Sequence, residues 1–140
     1  MNRVTDICIP ENEAIRTLEP HLLQVWKNSS RNGIRQLPHL YFYDVLQNES
    51  LLKSSEGDQD ASWVLAAAQT NLPLFVPGWE DSTMGNIFAA RSIEGEIDSD
   101  CILSGIEYMK QLATWYEGQE RPLAFLQIGG GIAGDFPICV

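Results

Sequence analysis

Hydrophobic residues recur along this chain with two spacings, which predict helices that alternate with buried strands. Steps of three and four residues link the apolar positions within residues 15–26, 84–90 and 106–116, as in amphipathic helices. Two continuous apolar runs, at 72–76 and 123–128, are short and lie next to turn-forming residues, as in strands that are covered on both faces. We therefore expect an α/β fold with a mainly parallel sheet flanked by helices.

Further signals place the helix boundaries in the first half of the chain. Pro20 lies inside the first helical pattern and is expected to kink the helix or divide it in two. A polar stretch at residues 28–33 is predicted to be a loop, and a second helix is predicted to begin near Pro38. A third helix follows, with Asp60 or Ser62 as its N-terminal cap.

Polar residues follow the first predicted strand directly, in the stretch FVPGWEDSTMGN. Ligands bind at the carboxyl ends of the strands in an open α/β sheet, so Glu80 and Asp81 indicate the edge of a site. The simpler alternative is that Asp81 or Ser82 only caps the helix that follows. Both interpretations stay open, although a helix start requires neither Trp79 nor a second carboxylate.

The second predicted strand leads into three consecutive glycines, Gly129, Gly130 and Gly131, and Gly134 completes the pattern G-x-G-x-x-G. After a strand, such glycines let backbone N–H groups approach the phosphates of a dinucleotide. The acidic residue that usually follows about 20 positions later would lie beyond Val140. A tight turn after a strand is therefore the competing explanation for these glycines.

The charge and the few cysteines and histidines argue against several classes of site. The formal net charge is -10, which argues against nucleic acid and anionic membranes as partners, since both require a basic surface. No segment has the pattern of a signal peptide or a membrane span. Three separated cysteines and two histidines give no metal-ligand spacing, so we expect reduced thiols, no metal site and a cytoplasmic location.

The turn FVPGWEDSTMGN and the later stretch LQIGGGIAGDFP together resemble the central part of the deoxyhypusine synthase family, particularly its bacterial deoxyhypusine synthase-like branch. The similarity extends less closely to Ile9 and Pro10, to residues 37–39 and to Ser62 and Trp63. The resemblance implies a Rossmann-like, NAD-binding fold in a homo-oligomer, a dimer or tetramer, with active sites at dimer interfaces. It also implies that NAD oxidises spermidine and that the aminobutyl group passes through a catalytic lysine to a lysine of a translation factor.

The resemblance assigns roles to individual residues. Asp81 matches the aspartate that contacts NAD, and a carboxylate can accept hydrogen bonds from both hydroxyls of a ribose. The glycine turn is assigned to the cofactor through Gly129, Gly130 and Gly131. Asn86 and Asp135 are assigned to the amine, but they stand where the eukaryotic pattern has an aspartate and a histidine. A different polyamine reaction, such as a bacterial synthesis of homospermidine, is therefore an alternative.

The catalytic lysine of the family has no counterpart in this sequence. Lys27, Lys53 and Lys110 are all predicted to lie in solvated helices or loops, whereas transfer through an imine requires an amine nucleophile. We therefore expect residues 1–140 to be a single partial NAD-binding-type domain, a fragment or truncated form of the transferase. Whether the chain is an enzyme stays open, since a non-catalytic binding or assembly module and a generic nucleotide-binding domain are the alternatives.

Overall fold

The described part of the chain is predominantly helical. The computed structural model describes residues 2–4, 7–9, 13–47, 59–76, 78–103, 105–124, 126, 131–132 and 134–135. Its main helices are α1 (Glu13–Asn32), α2 (Pro38–Leu46), α3 (Trp63–Gln69), α4 (Thr83–Ile93) and α5 (Gly105–Glu117). Short 3-10 helices occupy Gln59–Ala61, Trp79–Asp81 and Ser99–Cys101. At the N-terminus, β1 (Asn2–Val4) pairs antiparallel with β2 (Ile7–Ile9), with Asn2 opposite Ile9.

The expected Rossmann-like fold with a mainly parallel sheet is wrong. Within the described residues, β1 and β2 form a two-stranded antiparallel sheet, and parallel pairing is limited to one isolated bridge between Gln36 and Ile102. The apolar run at 72–76, predicted to be a buried strand, has an irregular backbone. Both of its ends, Leu72 and Val76, are exposed. The helices therefore pack against one another and against irregular segments in this part of the chain.

At the start of this run, the backbone groups of Leu72 form hydrogen bonds with a helix end and with a side chain, and not with a neighbouring strand. The Leu72 N–H donates to Ala67 O in α3 (2.9 Å), and Leu72 O accepts from the Tyr43 hydroxyl (2.8 Å). The described residues of the second predicted strand, 123–124 and 126, are also exposed and irregular. A short apolar run suits a strand and a packed loop equally well, so periodicity alone does not distinguish them.

Helix α1 continues through two positions where the sequence predicts an interruption. Pro20 lies inside the helix without dividing it, and the predicted loop at residues 28–33 is wrong because the helix ends only at Asn32. Leu22 and Trp26 lie one turn apart and are almost completely buried. Their packing holds the helix together beyond Pro20 and offsets the cost of an internal proline, roughly 3 kcal/mol.

The next two helices begin where the sequence predicts. Helix α2 starts at Pro38. Helix α3 is capped by Ser62 rather than Asp60, since the Ser62 hydroxyl accepts a hydrogen bond from Leu65 N–H (3.3 Å). The small side chains of α3 pack against α2 in a cluster of Tyr43, Ala67 and Ala68.

A core of aromatic and aliphatic side chains forms where α1, α2, α4 and α5 meet. Trp26 and Phe88 pack edge to face with ring centroids 5.1 Å apart, and the Trp79 ring lies 5.8 Å from Phe88. Tyr41 and Tyr108 are almost completely buried in the same core. None of the described helices is long and apolar enough to cross a membrane. Trp79 connects the core to the turn before α4, where the sequence places the candidate site.

Candidate functional site

Asp81 lies on the surface at the end of a short turn that begins next to the core. Gly78 has a left-handed backbone (φ 65°), and the 3-10 helix Trp79–Asp81 follows it. The Asp81 N–H donates to Gly78 O (3.0 Å) and closes the turn. Trp79 is buried, whereas Glu80 and Asp81 are exposed. The turn therefore holds two carboxylates at a defined place on the surface through one buried aromatic ring.

Ser82 is the cap of helix α4. Its hydroxyl accepts a hydrogen bond from Gly85 N–H (3.1 Å) and donates to Trp79 O. Gly85 is needed at its position because a Cβ atom there would lie 2.5 Å from Glu80 O. The capping interpretation thus holds for Ser82 and does not account for Asp81. Among the described residues, the Asp81 carboxylate has no hydrogen-bond or ion-pair partner.

The described part of the glycine segment, residues 129–134 of the sequence, contacts this turn. A Cβ atom on Gly78 would lie 3.3 Å from Ile132 Cδ1, so the side chain that follows Gly131 packs against the start of the 3-10 helix. Gly131 is exposed, has φ 75°, and has open space where a side chain would be. Gly129 and Gly130 lie outside the described residues. The two stretches that carry the family resemblance therefore meet through Gly78 and Ile132.

Asn86 and Asp135, the predicted amine ligands, are both exposed. Asn86 lies in the first turn of α4, where its N–H donates to Ser82 O (2.9 Å). The Asp135 N–H donates to Gly131 O (3.0 Å) and closes a short turn at the end of the glycine segment. The two residues thus belong to the same two segments as Asp81 and Gly131, and their role in binding stays a prediction.

Glu80 has a different environment from Asp81. Its Oε1 atom would lie 3.8 Å from a Cβ atom on Gly105, the first residue of α5, and the N-terminus of a helix favours negative charge. Burial raises the pKa of Tyr108, and the nearby Glu80 carboxylate adds to that rise. Glu80 is therefore associated with the start of α5, which leaves Asp81 as the carboxylate of the turn that the described fold does not use.

A buried polar pair joins α2 to α5. The hydroxyl of the fully buried Tyr108 lies 2.9 Å from His39 Nδ1 and accepts a hydrogen bond from the His39 backbone N–H (3.2 Å). Burial lowers the pKa of His39 to about 4, so its ring is neutral at pH 7. Sequence reasoning missed this pair because 69 positions separate the two residues. The available signal was a tyrosine in the apolar stripe of α5, which needs a buried partner for its hydroxyl.

The other reactive side chains that the structure describes include a thiol and two lysines. Cys101 is buried and free, and burial raises the pKa of its thiol. Lys27 forms an ion pair with Glu96, Lys110 is exposed on α5, and Lys53 lies outside the described residues. In the part of the chain that the structure describes, no group of three or more His, Cys, Asp or Glu side chains is placed to hold a metal ion.

Comparison with known proteins identifies the family. The family model for deoxyhypusine synthase matches residues 1–139. The chain belongs to the deoxyhypusine synthase family. A probable deoxyhypusine synthase from Aeropyrum pernix is 38% identical over 79 residues, which make up 56% of this chain and 24% of that relative. The matched region therefore spans about a quarter of the relative's length. No solved structure matches the chain significantly.

Family membership confirms the resemblance that two short stretches of the sequence suggest. Among the site residues that the family resemblance predicts, Asp81 has the best-defined environment in this structure. It is exposed, it belongs to a hydrogen-bonded turn, and helix capping does not require it.

Proposed function

We propose that this chain contributes cofactor and amine contacts to an NAD-dependent transferase, which moves an aminobutyl group from spermidine or a related polyamine to a lysine or amine acceptor. The proposed acceptor is a lysine of a translation factor, and synthesis of a polyamine of the homospermidine type is the alternative. The observation that carries the proposal is the setting of Asp81. Its carboxylate is held at the surface by the turn and has no partner among the described residues.

Features of the turn and of the glycine segment are compatible with binding of a dinucleotide. The exposed Asp81 carboxylate can accept hydrogen bonds from both hydroxyls of a ribose. The open backbone at Gly131 allows N–H groups to approach a phosphate, and we assign Gly129 and Gly130 to the same role. When bound, NAD would supply the hydride acceptor for oxidation of the amine. The contact between Gly78 and Ile132 supports a shared location for these two parts of the site.

We assign Asn86 and Asp135 to the polyamine. The Asp135 carboxylate can pair with an ammonium group, whereas the Asn86 amide can accept a hydrogen bond without contributing a charge. The formal net charge of -10 favours the approach of a cationic ligand. The eukaryotic pattern has its aspartate at the position of Asn86, whereas this chain has its carboxylate at Asp135. This displaced charge supports a related amine as an alternative to spermidine.

A second candidate is a non-catalytic binding or assembly module of the same family, and the lysines favour it. Transfer through an imine needs an amine nucleophile, but Lys27 is paired with Glu96 and Lys110 is exposed on α5. Exposed apolar side chains such as Trp63 and Ile93 offer surface for self-association. Under either candidate we propose a cytoplasmic homo-oligomer, a dimer or a tetramer.

The two candidates differ in what happens when the full chain is mixed with NAD and spermidine. Appearance of NADH absorbance supports the transferase. Mass spectrometry of samples that also receive either a lysine-bearing acceptor protein or a free diamine then separates a modified protein lysine from a new polyamine. No change in absorbance, together with self-association or binding to a longer homologue in sedimentation experiments, supports the module. Substitution of Asp81 lowers NADH formation under the first candidate only.

A further inference from the structure

Glu80 lies between two parts of the molecule that the core holds in place. Its backbone belongs to the 3-10 helix Trp79–Asp81, and Trp79 packs against Phe88 of α4 with ring centroids 5.8 Å apart. Its side chain reaches the first residue of α5, because Oε1 lies 3.8 Å from the place of a Cβ atom on Gly105. Glu80 therefore connects the turn before α4 to the start of α5.

The start of α5 is anchored in the core. Tyr108, three residues after Gly105, is fully buried, and its hydroxyl accepts a hydrogen bond from the backbone N–H of His39 (3.2 Å). The same hydroxyl lies 2.9 Å from Nδ1 of the His39 ring. Leu112, one turn further along α5, is also buried. A charge that interacts with this helix end is therefore connected to the core through α5.

The interaction between Glu80 and α5 is electrostatic. The N-terminus of a helix is the positive end of its dipole and favours a nearby carboxylate. Among the described residues the Glu80 carboxylate has no hydrogen bond or ion pair, so its charge is what links it to the helix end. Tyr108 reports the same proximity, since burial raises the pKa of its hydroxyl and the Glu80 carboxylate adds to that rise.

The backbone of Glu80 packs against the other neighbouring helix, α4. A Cβ atom on Gly85 would lie 2.5 Å from Glu80 O, so the first turn of α4 lies directly against the 3-10 helix. The next residue, Asp81, has an exposed carboxylate, and its N–H donates to Gly78 O (3.0 Å). An interaction that holds Glu80 between α4 and α5 therefore also restricts the backbone that carries the Asp81 carboxylate.

We propose that Glu80 is a positioning residue, which holds the 3-10 helix Trp79–Asp81 closed against the first turn of α5 and so presents the Asp81 carboxylate to the ribose hydroxyls of NAD. This inference rests on the proposed function of Asp81, and it adds a role for the neighbouring carboxylate. Glu80 acts through Asp81 and does not itself bind the cofactor, because its carboxylate lies at the start of α5.

Exchange of the Asp81 N–H with water, followed by NMR on the full chain, tests the proposal without any cofactor. Glu80→Gln keeps the size of the side chain and removes its charge. We expect the protection of the Asp81 N–H to fall about threefold once the intrinsic exchange rates of the two sequences are taken into account, since a carboxylate at a helix N-terminus has a modest effect. High salt should reduce this difference, because salt screens exposed charges.

Two controls show whether the change belongs to the turn. Glu117→Gln removes the same charge from the opposite end of α5 and should leave the protection of the Asp81 N–H unchanged. The Gly85 N–H, which donates to the Ser82 hydroxyl (3.1 Å), should keep its protection in Glu80→Gln, because the cap of α4 is not altered. Unchanged protection of the Asp81 N–H in Glu80→Gln, or an equal loss in both variants, would overturn the proposal.

The affinity for NAD, measured by calorimetry, gives the sign of the effect on the cofactor. A carboxylate that acts only through its charge repels the phosphates of NAD, so its removal in Glu80→Gln would tighten binding. A positioning residue has the opposite effect, and we expect NAD to bind up to about threefold more weakly to Glu80→Gln. Tighter or unchanged binding would overturn the proposal. If the unaltered chain does not bind NAD, the proposed function fails, and the protection of the Asp81 N–H still decides whether Glu80 holds the turn.

Discussion

Polar side chains serve opposite purposes in the His39–Tyr108 pair and in the turn before α4. In the pair, the tyrosine hydroxyl is shared between the backbone and the ring of His39, and burial shifts the pKa values of both groups away from the physiological range. In the turn, Ser82 supplies the cap and Asp81 is exposed without a partner among the described residues. A carboxylate that is positioned by the fold but does not stabilise it is suited to bind a ligand.

The largest effect that we predict concerns the geometry of the turn. Gly85→Ala would place a Cβ atom 2.5 Å from Glu80 O, a backbone atom that cannot move without breaking the turn. We expect the free energy of unfolding to fall by about 3 kcal/mol, measured by urea denaturation. Gly105→Ala is the matched control, because its Cβ atom would meet Glu80 Oε1 only at 3.8 Å. Equal destabilisation by both substitutions would show that the turn does not depend on Gly85.

The second largest effect that we predict is a loss of stability at acidic pH, which comes from His39 in the buried His39–Tyr108 pair. The pKa of His39 is about 4 in the folded protein, below its ordinary value of 6.5. Between these values the unfolded chain binds a proton that the folded chain does not, so this contribution to stability is complete above pH 6.5 and falls as the pH drops toward 4. We expect the free energy of unfolding to decrease by about 2 kcal/mol between pH 7 and pH 5, as measured in urea at each pH.

Two histidine variants separate this effect from general acid sensitivity. His39→Gln should be less stable than the unaltered protein at pH 7, because the polar pair is broken, but it should lose this part of the pH dependence. His21→Gln should keep the pH dependence, since His21 is outside the pair. Parallel pH profiles for all three proteins would contradict the assignment to His39.

A smaller effect distinguishes the two polar residues of the turn. Ser82→Ala removes the hydroxyl that bonds Gly85 N–H and Trp79 O, and we expect the free energy of unfolding to fall by about 1 kcal/mol. Asp81→Ala should change it by less than about 0.5 kcal/mol, because the exposed carboxylate has no hydrogen-bond or ion-pair partner among the described residues. Thermal or urea unfolding of the two variants checks this contrast. A reversed order would mean that Asp81 is structural and would weaken its assignment to a ligand.

The smallest effect that we predict concerns the ion pairs that Arg91 of α4 makes. Arg91 pairs with Glu19 of α1 and with Glu94 and Glu96 beyond the end of α4. These side chains are partly exposed, so water and salt screen them. Arg91→Gln should lower the urea midpoint less than Ser82→Ala does, and the difference should shrink at high salt. A large loss that salt does not reduce would indicate a packing role for Arg91 instead.

The sequence predicted the helices better than it predicted how they pack. Ser62 and Pro38 are local signals, and they mark the starts of α3 and α2 correctly. The parallel sheet was wrong because the run at 72–76 is short and apolar whether it pairs with a strand or packs against helices. Its actual state depends on the hydrogen bond from the Tyr43 hydroxyl to Leu72 O, which joins residues 29 positions apart. No pattern within a short window reports such a contact.

The candidate site was predictable in part, because its residues lie in two short motifs. The motifs place Asp81 and Gly131 in turns, and the structure brings the two segments into contact at Gly78 and Ile132. The sequence leaves open whether Asp81 or Ser82 caps α4, since either side chain could serve. The hydrogen bond that the Ser82 hydroxyl accepts from Gly85 N–H identifies Ser82 as the cap.

Titration of NAD into the full chain, by calorimetry, tests the central assignment of Asp81 most directly. The variant Asp81→Asn keeps the size of the side chain, and Glu117→Gln at the exposed end of α5 removes the same charge at a distant position in the chain. We predict that NAD binds to the unaltered chain and to Glu117→Gln with similar affinity, and at least about tenfold more weakly to Asp81→Asn. Equal affinity for the two variants, or no binding of NAD by the unaltered chain, would contradict the assignment of Asp81 to the cofactor.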